Sequence, residues 1–161
     1  AEGTTDLYAG DAAGAWKRVR ETWKPLKKSL LLMIQLTRIE AVHLYGRAAL
    51  AAGDLGEAAR AAKKLAREKM AWSAPLAALL AAGVARTGGD LAQARTSLDE
   101  AARGFDAADM ALWEAVARRQ LGLLVGGDEG AALVAAADAF LRAQSVRDPG
   151  RVAATLAPGF A

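Results

Sequence analysis

The sequence predicts an all-α chain built from helix-turn-helix repeats, and three observations carry that expectation. Ala occurs 42 times in 161 residues, and Leu, Arg and Glu fill much of the remainder, a composition of strong helix formers. No alternating run of Val, Ile, Thr and aromatic residues bounded by turn signals reads as a strand. Gly-Asp recurs at Gly10-Asp11, Gly53-Asp54, Gly89-Asp90 and Gly127-Asp128 with spacings of 43, 36 and 38 residues, the period of a helical repeat.

Each Gly-Asp step is expected to join two helices. Gly permits the backbone conformation that ends the upstream helix, and the Asp carboxylate accepts hydrogen bonds from the first N–H groups of the downstream one. Gly10-Asp11 leads into a helix through Trp23, with a stub of its partner upstream. Pro25 marks a break or a first turn. The second unit pairs Ser29 to Ala52 with Leu55 to Met70, and its apolar stretch Leu30 to Leu36 reads as buried helix. The third pairs Pro75 to Thr87 with Leu91 to Phe105, and the fourth pairs Ala108 to Val125 with Glu129 to Gln144. The units are thus 1–28 (partial), 29–72, 73–107 and 108–145, followed by a cap over 146–161, all in one domain.

Composition restricts chemistry. The chain has no Cys, and His43 is the only imidazole, so a zinc site would need carboxylates for every other ligand. Neither a Gly-x-x-x-x-Gly-Lys-Ser/Thr loop nor Gly-x-Ser-x-Gly occurs. Gly126-Gly127-Asp128-Glu129-Gly130 matches the cyclase signature Gly-Gly-Asp-Glu-Phe only as a string, since it falls between helices rather than on a β-hairpin. Asp99-Glu100 and Asp128-Glu129 read as solvated faces or helix starts. The expectation is therefore no enzyme, no cofactor and no metal.

No segment approaches the roughly 18 apolar residues of a membrane span. Together with the missing Cys, this fits a cytoplasmic setting. The lack of an initiator Met and of a leader suggests a piece of a larger protein or a processed form. The net charge of +3 is unevenly spread: residues 1–72 carry +5 and residues 73–161 carry −2, and all seven lysines lie at or before Lys69. The ladder Lys17, Arg18, Arg20, Lys24, Lys27 and Lys28 overlaps Trp16 and Trp23, whose seven-residue spacing sets them near one helix face; core packing is the favoured reading, and an exposed pair in a groove would instead be a peptide-binding anchor.

Four residues after each turn Asp stands an alanine: Ala15, Ala58, Ala94 and Ala132. Seven residues before the turn Gly stand Gly3, Gly46 and Ala82, but Gln120 in the fourth unit. Small residues at paired positions let helices approach to about 8–10 Å. In these features the chain resembles the tetratricopeptide repeat, without that family's helix-terminal Pro. Gln120 leaves the fourth register open, a locally shifted helix at Gly122 being one way to meet it. The resemblance implies a short right-handed α-solenoid of antiparallel helix pairs with a C-terminal capping helix.

Ala117-Arg118-Arg119-Gln120-Leu121-Gly122, Gly126 to Gly130, and Val146-Arg147-Asp148-Pro149 to Leu156-Ala157-Pro158-Gly159-Phe160 look like the carboxyl-terminal region of large bacterial serine/threonine kinases and related multidomain ATPase regulators. That likeness implies an accessory region of a signalling protein. Carried over from the tetratricopeptide groove, the partner-binding positions are Glu40, His43 and Arg47 in one unit, Arg86 in the next, and Arg118 in the fourth. Their arginines would pair with carboxylates of a protein or acidic peptide, and His43 would exchange a hydrogen bond. The alternative is an intramolecular structural or regulatory segment whose groove is filled by its own terminus or by neighbouring domains of a longer protein, with Pro149 to Ala161 as the cap. Nucleic-acid binding through the basic half is the weakest expectation, because regular base-stacking side chains are not visible in each repeat.

Overall fold

The computed structural model describes residues 2–160; Ala1 and Ala161, the outer ends of the first unit and of the cap, lie outside them. The described residues are all-helical, with no strand. In order they form α1 (Glu2–Ala9), α2 (Ala12–Lys28), a 3-10 turn (Leu30–Met33), α3 (Gln35–Ala51), α4 (Leu55–Leu65), α5 (Ser73–Thr87), α6 (Leu91–Ala107), α7 (Ala111–Val125), α8 (Gly127–Ala143) and α9 (Pro149–Leu156). Helices adjacent in sequence pack against one another from α1 through α8, and α3 also packs on α5.

The first three Gly-Asp turns share one geometry. Gly10, Gly53 and Gly89 sit at φ of +83°, +85° and +87°, where a Cβ would be strained. The next residue's N–H then donates to the carbonyl five residues back: Asp11 to Asp6 at 2.9 Å, Asp54 to Ala49 at 2.8 Å and Asp90 to Ala85 at 2.9 Å. These bonds tie up the last free carbonyls of the upstream helix. Each Asp carboxylate accepts from the N–H three residues on, at Gly14, Glu57 and Gln93. One dipeptide thus ends a helix and starts the next.

The fourth turn, whose register the sequence left open, is built differently from the Gly-Asp pattern expected of it. Gly126 and Gly127 both have positive φ, and α8 already begins at Gly127. Asp128 consequently falls inside the first turn and caps nothing. Ala15, Ala58 and Ala94 are fully buried, whereas Ala132 is exposed. The close approach moves to two glycines: a Cβ on Gly122 would lie 2.7 Å from the Gly130 carbonyl oxygen, and one on Gly130 would lie 2.3 Å from that of Gly122. Backbone meets backbone there, and only glycine fits.

Three further expectations are corrected. Leu30 to Leu36 is not a buried helix: it is a 3-10 turn followed by the start of α3, and Leu30, Leu31, Met33, Ile34 and Leu36 are exposed while Leu32 and Gln35 are partly buried. Ser29 ends α2, since its hydroxyl donates to the Leu26 carbonyl at 2.7 Å and accepts from the Leu31 N–H at 3.4 Å, competing with helical bonds. Pro25 neither breaks nor starts a helix, because it lies in the last turns of α2, where the bond it forfeits is exposed to water. Leu55 to Met70 ends early, at Leu65.

The main core runs from Ile39 and Leu50 through Leu65, Leu79, Leu98 and Phe105 to Val116, and it also takes in Ala153, Ala157 and Phe160 from the C-terminus. The C-terminal helix therefore does more than cover the last unit. It packs on α7 and α8 and also reaches back to α1.

Candidate functional site

The upstream helices α3, α5 and α7 were expected to line a groove, and α9 and residues 157–160 lie against them. Three anchors fix this segment. The Arg47 guanidinium on α3 donates from Nη1 to the Thr155 carbonyl at 3.0 Å. Gln120 on α7 donates from Nε2 to the carbonyls of Ala157 at 2.9 Å and Ala153 at 3.3 Å. On α5, Gly83 leaves the space that the tail uses, since a Cβ there would meet the Pro158 carbonyl oxygen at 2.5 Å. Phe160 is buried beside it, 8% exposed.

The local logic is that of a helix C-terminus. The last carbonyls of a helix lack partners further along it and their aligned dipoles carry partial negative charge; here Ala153 already accepts from the Ala157 N–H at 2.8 Å, and the carbonyls of Thr155 and Ala157 lie beyond that last helical bond. A cation and an amide placed opposite them satisfy both needs. Gln120, the residue that departs from the small-residue pattern, is one of the two side chains that meet them. The polar match is incomplete, because Arg47 Nε and Gln120 Oε1 are buried without a hydrogen-bond partner.

The five sequence-derived positions divide accordingly. Arg47 and His43 are buried, 7% and 5% exposed, so neither faces solvent where an incoming ligand would meet it. Burial pushes Arg47 down to about 10, which leaves it charged at neutral pH. Burial first, and the Arg47 charge second, push His43 well below its usual value, so it is neutral. Its ring lies 5.2 Å from that of Trp113, which stacks on Phe105 at 5.7 Å. Glu40 is exposed, Arg86 is half-buried, and Arg118 is exposed and paired within its own helix to Glu114 at 2.7 Å. The structure thus buries His43 close enough to Arg47 to feel its charge, and of the five positions it shows a hydrogen bond to the C-terminal segment for Arg47.

Sequence reasoning offered the C-terminal segment as a groove occupant only as an alternative, and it missed Gln120 and Gly83 as residues that seat it. The only signal was Gln120 itself, a polar residue where the pattern calls for a small one. Trp16 and Trp23 are partly buried, and both pack on Tyr45, at 4.9 and 4.4 Å between ring centroids. Arg20 and Lys27 lie over their faces at 5.6 and 5.9 Å. Among the described residues no group of three or more His, Asp or Glu side chains is arranged to hold a metal ion, and no helix is long and apolar enough to cross a membrane.

No known family, curated protein or solved structure matches the chain.

Proposed function

We propose that this chain is a noncatalytic helical-repeat scaffold of the tetratricopeptide-like, right-handed solenoid type, whose partner groove is occupied by its own C-terminal segment. One observation carries the reading: Arg47 and Gln120, from two different helices, both hydrogen-bond to backbone carbonyls of residues 153–157. Backbone recognition of this kind is what a groove offers any helical peptide end, here supplied in cis. The module would serve a larger signalling chain, the setting that its likeness to bacterial kinase tails implies. Regulation would consist of displacing the segment. The two unpaired buried polar atoms at its seat support a releasable contact over a purely structural one, because each costs about 1–3 kcal/mol while unsatisfied.

Hydrogen exchange on the intact chain tests the reading. Amides of α9 should be protected to the level of α7, and Gln120→Ala should raise exchange selectively over residues 149–157. Exchange of that segment at the rates of exposed chain in the unmodified protein would return the groove to the open, peptide-binding alternative.

A further inference from the structure

The turn between α2 and α3, with the first residues of α3, exposes five large aliphatic side chains within seven residues, interrupted by the partly buried Leu32 and Gln35. Leu30 is 77% exposed, Leu31 51%, Met33 76%, Ile34 55% and Leu36 54%. Side chains of this kind standing in water over adjacent positions mark an interaction surface, since isolated exposed apolar residues are ordinary and contiguous ones are not. The groove under the C-terminal segment does not account for them.

Charge identifies what meets this surface. Lys24, Lys27 and Lys28 are exposed on the last turns of α2, immediately before the apolar side chains, and no acidic residue occurs from Thr22 to Ile39. The chain after α4 is held against the same place. Arg38 pairs with Glu68 at 2.6 Å and donates to the Leu32 carbonyl at 2.9 Å, and Gln35 donates to Glu68 at 3.2 Å. Arg67 and Lys69, both exposed, flank Glu68 in sequence, and the partly exposed Met70 follows. Glu68, the one acidic residue between Ala58 and Met70, is held below the usual carboxylate range by Arg38 and is spent on that pair. The collar therefore carries an excess of positive charge, with Glu21, one turn before Lys24, and Glu40 as the nearest acidic residues on either side in sequence, while residues 73–161 carry a net −2.

We propose that the turn at Leu30–Leu36, with its collar of Lys24, Lys27, Lys28, Arg67 and Lys69, docks this protein on an anionic lipid bilayer. The aliphatic tips enter the boundary between headgroups and acyl chains, and the lysines remain level with the lipid phosphates. A bilayer fits better than a protein partner. The exposed set is wholly aliphatic, whereas protein hot spots are rich in Trp, Tyr and Arg and poor in Leu. A nucleic acid would use the lysines but leave the aliphatic tips in water.

The test is co-sedimentation of the intact chain with vesicles of phosphatidylcholine alone and of phosphatidylcholine mixed equally with phosphatidylglycerol. The expected result is binding to the mixed vesicles only, weakening as salt screens the collar. Lys27→Ala with Lys28→Ala should lower that affinity on the order of thirty-fold, two factors of about five. Leu30→Asp with Met33→Asp should lower it at least about ten-fold with an unchanged melting temperature, because these side chains are exposed in the fold. The proposal fails if neither vesicle binds, if phosphatidylcholine alone binds equally, or if the Leu30→Asp, Met33→Asp protein binds as well as the original. It also fails if sedimentation equilibrium shows a dimer that the same double variant dissolves, or if an oligonucleotide binds where vesicles do not.

Discussion

His43 shows how burial alone changes what a residue does. Its sequence position suits a ligand contact, yet desolvation and the neighbouring Arg47 charge hold its ring neutral. The unfolded chain takes up a proton near pH 6.5 and the folded chain does not, so acidification below about 6.5 favours unfolding. Denaturant titrations should show stability falling with pH there, and His43→Phe should flatten that part of the profile. Equal slopes for the two proteins would mean that His43 is accessible. Arg47 and Arg86 separate in the same way. Arg47→Ala removes a buried side chain together with its bond to the Thr155 carbonyl, at an expected cost of about 2–4 kcal/mol. Arg86→Ala, on a half-buried side chain, should stay within about 0.5 kcal/mol. Thermal melts of the two variants decide this, and a comparable loss in both would place Arg86 in the structural contact as well.

Among the elements, the four turns look alike in sequence and only three behave alike. Asp54 accepts from the Glu57 N–H at 3.1 Å, whereas Asp128 sits inside α8 after two glycines. Asp54→Ala should therefore cost about 0.5–2 kcal/mol, and Asp128→Ala only a few tenths, the residual dipole contribution. Chemical denaturation resolves the difference, and a large loss at Asp128 would restore the fourth turn to the common pattern. The segment Leu30–Leu36 teaches a related lesson. A short apolar run has the same composition whether it faces a core or water. In the structure Ser29, which terminates α2 through its hydroxyl, keeps that helix from running on into the apolar stretch.

At the scale of the whole molecule, the two chain ends are joined. Arg151 lies 5.6 Å over the Tyr8 ring, α9 packs on α1, and Phe160 enters the core beside Gly83. A change at the C-terminus should therefore be felt at the N-terminus. Phe160→Ala is expected to cost about 3 kcal/mol and to speed hydrogen exchange in α1 as well as in α9. Exchange confined to residues 149–160 would show that the tail is an independent appendage.

What the sequence determined by itself was local. Helix content follows from residue propensities summed over each segment, and three of the turns follow from glycine's access to positive φ and the reach of one aspartate to the N–H three residues on. The buried Ala15, Ala58 and Ala94 were legible because they recur at a fixed offset from those turns. The candidate site was legible only as a set of helix positions, not as an environment. Whether Arg47 meets a ligand or the chain itself depends on a carbonyl 108 residues away, and whether Leu30 is core or surface depends on which segments pack over it. Side-chain periodicity assigns faces relative to a helix axis, but only the folded chain places another segment against a face, because long-range packing is a property of all the elements together.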